Sequence, residues 1–225
     1  MLDILALSPH PDDVELCCGG LIAKMSEKGY RIGIIDLTRG ELGTEGTAKM
    51  RMQEAAKAAE ILGVQTRENM DFGDCKLSCG FEEAKKLADV VREHRPSVLI
   101  APYGDEQHPD HAAARELATK AAFFATLTKV KTRHKAYTIK AVVYYMLHKP
   151  FVPSFVVDVT ENYDKKLEAI EAYRSQMKLM LGVEGLLKSI KLRDQFYGSK
   201  IGVKHGEPFL CDTPLKIHDP VVLFR

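Results

Sequence analysis

The sequence has no surplus of charge of either sign. Its 225 residues include 32 Lys and Arg against 31 Asp and Glu, and no long run of like charge occurs. Nucleic acids and anionic membranes usually require a clustered positive surplus, so the composition argues against both as partners. Hydrophobic residues make up 45% of the chain, which is typical of a folded protein with a sizeable core.

Long hydrophobic runs are also absent. No window approaches the roughly 20 apolar residues that a membrane-spanning helix needs, and the first residues lack the basic and apolar segments of a secretory signal. The five cysteines are an odd number, which indicates reduced thiols rather than a disulfide framework. These absences predict a cytoplasmic protein. Cys75 and Cys79 are four residues apart, but a lone pair offers too few ligands for a structural zinc.

Short apolar runs alternate with amphipathic stretches along the chain. The apolar runs predict strands at residues 4–8, 31–37, 68–72, 97–103, 140–146 and 155–159, and helical periodicity predicts helices at residues 13–28, 47–62, 81–94, 110–127, 162–178 and 184–197. Such alternation indicates parallel β-α-β units. We therefore predict an α/β, Rossmann-like three-layer fold with a mostly parallel sheet of order 3-2-1-4-5. Residues 1–225 are expected to form a single domain, with an appended C-terminal layer of helices and strand.

Two polar segments follow the first and the fourth predicted strands. One reads Ser-Pro-His-Pro-Asp-Asp at residues 8–13, and the other reads Gln-His-Pro-Asp-His at residues 107–111. In the order 3-2-1-4-5 these two strands are neighbours whose connections leave in opposite directions, and open α/β sheets bind their ligands at that crevice. The two segments are therefore expected to meet in space.

Three residues of these segments suit a catalytic metal. His10, Asp13 and His111 would supply the three protein ligands that a catalytic zinc needs, with a fourth position left for water. The donor set favours Zn²⁺, although it also accepts other divalent metals such as Fe²⁺. Singly, each segment is also explained by helix capping, because Asp near the N-cap and Pro in the first turn are common at helix starts.

The remaining residues of the segments suit amide hydrolysis. Asp12 would take the proton of the metal-bound water as general base. His108 would protonate a leaving amine or stabilise the oxyanion, and Asp110 would orient a neighbouring imidazole. The sequence thus predicts catalytic roles for Asp12, His108 and Asp110.

The other histidines are predicted to be surface or structural residues, because no carboxylate stands near them at ligand spacing. They are His94, His134, His148, His205 and His218. Residues 38–47 carry three glycines and predict a mobile loop. Such a loop can cradle phosphates, which leaves a non-catalytic sugar- or nucleotide-binding module as an alternative, but neither G-x-G-x-x-G after the first strand nor G-x-x-x-x-G-K-[ST] occurs.

The paired motifs resemble those of the LmbE-like (PIG-L) deacetylases. The resemblance is carried by Pro-His-Pro-Asp-Asp at residues 9–13, by Glu15 with Gly19-Gly20, and by His-Pro-Asp-His at residues 108–111. Supporting segments are residues 36–41, 173–176, 202–203 and 207–209. The sequence is particularly similar to the branch that deacetylates N-acetylglucosaminyl malate in bacillithiol biosynthesis.

The resemblance implies a Rossmann-like fold and a zinc ion held by His10, Asp13 and His111. It implies Asp12 as general base and His108 as acid or charge stabiliser, with Asp110 as the partner of His108. It also implies a homo-oligomer, often a hexamer in this branch.

Two further residues concern the substrate. Arg51 matches the position of the branch's substrate-anion arginine, and a guanidinium can hold a carboxylate with two hydrogen bonds; an exposed helix arginine is the alternative. Gln107 stands where the branch often has Arg, and His205-Gly206 stands where Tyr-Ala is common. We therefore expect a zinc-dependent N-deacetylase of an N-acetylglucosamine conjugate. The substrate is N-acetylglucosaminyl malate or, alternatively, a chitobiose-type disaccharide or an antibiotic precursor.

Overall fold

The strands and helices alternate along the chain as the periodicity predicts. The structure is a computed structural model that describes residues 1–104, 106–177, 183–216, 219 and 221. The strands are β1 Ile4–Ser8, β2 Ile32–Asp36, β3 Thr66–Asn69, β4 Val98–Pro102, β5 Ala141–Tyr145, β6 Phe155–Asp158 and β7 Gly206–Leu210. The helices are α1 Asp13–Glu27, α2 Ala48–Leu62, α3 Phe81–His94, α4 Pro109–Thr126, α5 Tyr163–Glu171, α6 Arg174–Met177 and α7 Val183–Lys200, with a 3₁₀ turn at Thr160–Asn162.

All of these strands belong to one mixed sheet of order β3-β2-β1-β4-β5-β7-β6. The first five pair in parallel, while β7 runs antiparallel to both β5 and β6. The predicted α/β class and the order 3-2-1-4-5 are confirmed. The C-terminal strands continue this sheet, so the appended part is an extension of the sheet covered by helices.

Helices cover both faces of the sheet. Helices α1, α2 and α5 pack together on one face, and α3 packs against α4 on the other. Every residue of β1 and of β2 is buried, as expected for central parallel strands that are covered on both sides. Among the described residues, no helix combines the length and the apolar character that crossing a membrane requires.

The sequence misplaces one strand at the edge of the sheet and misses another beside the opposite edge. Strand β3 lies at Thr66–Asn69 instead of residues 68–72, and its sequence Thr-Arg-Glu-Asn has no apolar run to mark it. The chain leaves the sheet after it and turns through positive φ angles at Asp71 and Gly73. The sequence does not predict strand β7 because it contains Gly206 and Pro208, which are disfavoured in strands, yet it pairs with both of its neighbours.

The helix predicted at residues 162–178 is interrupted. Helix α5 ends at Glu171 and α6 begins at Arg174, because Tyr173 turns inward and becomes buried. Residue 178, at the predicted end, lies outside the described residues, as does His218.

Candidate metal centre

The connection from β1 to α1 is a tight turn that sets the first motif. Ser8 Oγ donates to the His10 carbonyl at 2.6 Å, and the His10 backbone N–H donates to Asp13 Oδ2 at 2.9 Å. Asp12 adopts φ 130° and ψ −27°, a conformation that non-glycine residues rarely occupy and that costs free energy. The turn thereby places two adjacent carboxylates at the carboxyl end of the sheet.

Ligand-type atoms from both motifs converge at this point. His10 Nδ1 lies 3.2 Å from His111 Nε2, and Asp13 Oδ2 lies 3.4 Å from each of these two nitrogens. A tetrahedral zinc ion with bonds of 2.0–2.1 Å separates its ligand atoms by about 3.3 Å. The side chains of His10, Asp13 and His111 therefore stand at the spacing that a divalent ion requires.

The electrostatics of the cluster also call for a cation. Burial opposes protonation of His10, but hydrogen bonds to Asp110, Asp13 and Asp74 raise its pKa to about 12. Burial acts to raise the pKa of Asp13, but the neighbouring His111 and His10 hold it well below its usual value. The surrounding carboxylates draw positive charge to this centre, and a bound divalent ion would provide it.

The Asp110 carboxylate contacts the imidazole of His10, whereas the family resemblance implies His108 as its partner. Asp110 Oδ2 lies 3.1 Å from His10 Nε2 and accepts the Cys75 backbone N–H at 2.8 Å. The contact to His108 is made instead by the Asp110 backbone N–H, which donates to His108 Nδ1 at 3.2 Å. The reason is that His108 caps the N-terminus of α4, which turns its ring back onto the first helical turn.

Asp74 joins the site although its sequence surroundings do not mark it. Its Oδ1 lies 3.2 Å from His10 Nε2, and its Oδ2 accepts the Leu42 backbone N–H at 2.9 Å. Asp74 lies in the loop after β3, the strand whose end the sequence misplaces. It connects the cluster to the glycine-containing loop at residues 38–47.

The predicted general base is held by the predicted anion-binding arginine. Arg51 Nη2 donates to Asp12 Oδ2 at 3.0 Å and to the Pro11 carbonyl at 2.6 Å. Burial raises the pKa of Asp12 to about 7, even though the Arg51 guanidinium acts to lower it. A carboxylate with a pKa near neutrality is suited to accepting a proton from water. A Cβ on Gly40 would collide with the Arg51 guanidinium, so any other residue at position 40 would displace the arginine from Asp12.

His108 lines the same cavity with one nitrogen available. Its Nδ1 accepts the Asp110 N–H, which leaves the proton of the neutral ring on Nε2. Burial, together with the neighbouring His10 and His111, lowers the pKa of His108. A neutral His108 is a hydrogen-bond donor at Nε2 and suits the stabilisation of negative charge on an oxygen.

Three histidines that are predicted to lack carboxylate neighbours have them. His94 pairs with Glu68, His134 with Asp89 and His148 with Glu106, at 2.8, 3.0 and 3.3 Å. These partners are 26, 45 and 42 residues away in sequence, so local spacing contains no signal for them. His148 alone of the three enters the site, stacking on His111 at a centroid distance of 5.6 Å.

Two other residues lie away from the cluster. Gln107 is exposed and lines an outer depression beside His108 and His148 rather than the cavity itself. His205 is buried against Tyr163, with ring centroids 3.7 Å apart, and neither of its ring nitrogens has a hydrogen-bond partner among the described residues.

A cavity of about 460 Å³ opens above the cluster. His10, Asp12 and His108 line its polar end, while Ile170 and Ile190 contribute an apolar wall. Its size suits a small organic ligand.

Comparison with known proteins agrees with this geometry. The family model "PIG-L: GlcNAc-PI de-N-acetylase" matches residues 5–122, which include both motifs and more than half of the chain. The chain belongs to the PIG-L family. The resemblance inferred from the motifs is thus confirmed.

Relatives of the chain are named for different activities. Diacetylchitobiose deacetylase of Thermococcus kodakarensis is 32% identical, with 91% of this chain and 80% of that protein covered. A 4-oxalmesaconate hydratase of Pseudomonas putida is 32% identical over 78% and 74%. A "Probable N-acetyl-alpha-D-glucosaminyl L-malate deacetylase 2" of Bacillus anthracis is 31% identical over 77% and 80%. The crystal structure of a conserved protein from Thermus thermophilus superposes with a TM-score of 0.92 at 39% identity, covering 98% of both chains.

Proposed function

We propose that this protein is a metal-dependent N-deacetylase that hydrolyses the acetamide of an N-acetylglucosamine conjugate. The observation that carries the proposal is the convergence of His10 Nδ1, Asp13 Oδ2 and His111 Nε2 at 3.2–3.4 Å beneath the cavity. Together with Asp12 and His108, this arrangement contains the groups that metal-assisted amide hydrolysis needs.

His10, Asp13 and His111 would hold the ion, which is zinc by its donor set of two imidazoles and one carboxylate. When bound, the ion polarises the amide carbonyl and lowers the pKa of a water molecule toward about 7. Asp110 and Asp74 fix the ring of His10 from its other nitrogen, as carboxylates commonly do for metal-bound histidines.

The chain's other side chains would handle protons and charge. Asp12 accepts a proton from the attacking water, while Arg51 holds its carboxylate in place. His108 donates from Nε2 to the oxyanion that develops on the amide oxygen. The proton held by Asp12 is then available to the departing amine, so acetate and a free amino sugar are released.

The aglycone is proposed from the relatives. Two relatives at 31–32% identity are named for the deacetylation of N-acetylglucosaminyl malate and of diacetylchitobiose. Both contain an N-acetylglucosamine unit, so the acetamido sugar is the common part that the cavity would hold.

The test is the metal-dependent release of a primary amine. Fluorescamine would detect the amine formed from N-acetylglucosaminyl malate, N,N'-diacetylchitobiose and N-acetylglucosamine, with zinc-loaded and chelator-treated protein side by side. We expect release that is lost on chelation and restored by zinc. A zinc-loaded protein that releases no amine from any of these compounds would reject the proposal.

Hydration of an unsaturated carboxylate is the second candidate, because the Pseudomonas relative is named a hydratase. The same metal and base can activate water for addition to a carbon–carbon double bond. Loss of ultraviolet absorbance from an unsaturated dicarboxylic acid, with no amine release in the first assay, would favour this candidate.

A further inference from the structure

Arg193 brings a second guanidinium to the wall of the cavity. Its Nε donates to Asp194 Oδ1 at 3.0 Å, and its Nη2 donates to the Leu16 carbonyl at 2.6 Å. Its Nη1 contacts only the Cys17 sulfur, at 3.9 Å, among the described residues. A thiol is a weak acceptor, so the Nη1 end of the guanidinium has spare donors beside the cavity.

Arg51, by contrast, is engaged with the proposed base, although its Nε has no hydrogen-bond partner among the described residues. Both terminal nitrogens of Arg51 donate within the protein, to Pro11, Asp12 and Gly40. A substrate anion at Arg51 would compete with Asp12, the proposed base. Of the two arginines among the described residues that line this cavity, Arg193 is therefore the one that can bind a substrate anion without disturbing Asp12.

Arg193 is held rigidly from behind by a buried ion network. Lys166 Nζ donates to Asp194 Oδ2 and to Glu207 Oε1, each at 2.7 Å. The side chains of Lys166, Asp194 and Glu207 are fully buried. Because the guanidinium is fixed before a ligand arrives, little ordering remains to be done on binding.

Arg193 contacts the helix that begins at Asp13, one of the proposed metal ligands. Its contacts Leu16 and Cys17 follow Asp13 on α1 by three and four residues, a rise of about 5–6 Å along a helix. Ile170 and Ile190 line the same cavity, and apolar surroundings strengthen a charge–charge contact by excluding water. Arg193 thus contacts α1 about one helical turn beyond Asp13, and it lines the same cavity as the proposed metal ligands.

We propose that Arg193 forms an anion subsite that binds a carboxylate or phosphate on the part of the substrate beyond the acetamido sugar. The inference rests on the proposed function, and it predicts that the protein prefers conjugates with an acidic aglycone. Arg193 then determines which conjugates bind tightly, while the residues that hydrolyse the amide are the same for every aglycone.

The experiment compares three substrates on zinc-loaded protein: N-acetylglucosaminyl malate, N-acetylglucosamine 1-phosphate and N,N'-diacetylchitobiose. R193Q removes the positive charge, and R193K keeps the charge but lacks the planar pair of N–H donors of a guanidinium. K191Q is the matched control, because it removes an exposed positive charge from the same helix. We expect R193Q to raise KM for the acidic substrates about 10- to 100-fold, with R193K intermediate. The KM for diacetylchitobiose and every value of K191Q should stay near wild type.

The outcomes separate the two proposals. Equal losses on neutral and acidic substrates in R193Q would overturn the anion subsite and indicate a structural role. So would a wild-type protein that hydrolyses all three substrates equally, and in that case the proposed deacetylation stands. If the wild type hydrolyses none of them, the proposed function fails. Calorimetric titration of wild type and R193Q with glucosaminyl malate then decides the subsite alone, because unchanged affinity in R193Q rejects it.

Discussion

Glu207 caps a break in the helix that carries Asp13. Helix α1 leaves helical geometry at Cys18, where φ is −141°, and the backbone N–H groups of Gly20 and Leu21 donate to the Glu207 carboxylate at 2.9 and 2.7 Å. The same carboxylate pairs with the buried Lys166. Glu207 thereby supports, from a distant strand, the helix that begins at the turn carrying His10 and Asp13.

Glu207→Gln is expected to destabilise the protein by about 3 kcal/mol, because it leaves the buried Lys166 with less compensating charge and removes an acceptor from the helix break. Urea unfolding measures the change. Glu27→Gln is the matched control, since Glu27 pairs with Lys165 at the other end of α1 and both side chains are half-exposed; its cost should be much smaller than that of Glu207→Gln. Equal costs for the two variants would contradict the capping role.

Asp12→Asn should lower kcat by about 10²- to 10⁴-fold, the usual contribution of a general base. The amide can still accept from Arg51, so the fold and the bound metal should be retained. Metal content and thermal unfolding check this alongside amine release. A variant that keeps wild-type turnover would remove Asp12 from the role of base.

Asp110→Asn should weaken zinc binding by about 10- to 100-fold, because the carboxylate that orients His10 is lost. Competition against a chromophoric chelator measures the affinity without reference to activity. Asp89→Asn serves as the control, since Asp89 pairs with His134 away from the site and should leave zinc affinity unchanged. If the two variants bind zinc equally well, Asp110 does not support the metal ligand.

His205→Phe should stabilise the protein by about 1 kcal/mol, since it removes buried ring nitrogens without partners among the described residues and keeps the stacking on Tyr163. The substitution should also make the free energy of unfolding depend less on pH on the acidic side of neutrality. Burial, with Lys204 nearby, lowers the pKa of His205 below 6.5. Below about pH 6.5 the unfolded state therefore binds more protons than the folded state, and stability falls with acid.

Unfolding free energies of wild type and His205→Phe at several values between about pH 5 and pH 8 test this expectation. The gain should grow as the pH falls. His94→Gln, at an exposed ion pair with Glu68, should leave the slope due to His205 in place. A gain that does not depend on pH would show that His205 titrates equally in the folded and unfolded states.

The meeting of the two motifs could be predicted from sequence because both follow neighbouring parallel strands, and apolar runs mark β1 and β4 clearly. The short turn at residues 8–13 then places ligand-type residues at the carboxyl edge of the sheet. Local pattern and strand order together are therefore sufficient to bring His10 and His111 to one place.

The supporting residues could not be predicted in this way. Asp74 reaches His10 from a loop whose preceding strand is polar, and Glu106 holds His148 across 42 residues. Glu207 lies in a strand with unfavourable propensity that tertiary pairing nevertheless stabilises. Such contacts depend on packing between segments that are distant in sequence, and the hydrophobic periodicity of the sequence contains no information about that packing.

The backbone conformation of Asp12 has a consequence for evolution and engineering. A glycine would adopt that geometry without penalty, so the backbone strain at this position is tied to the side chain that is proposed as the base. Activity and stability thus compete at this single position. A program to stabilise the protein should hold position 12 constant and seek its gains elsewhere.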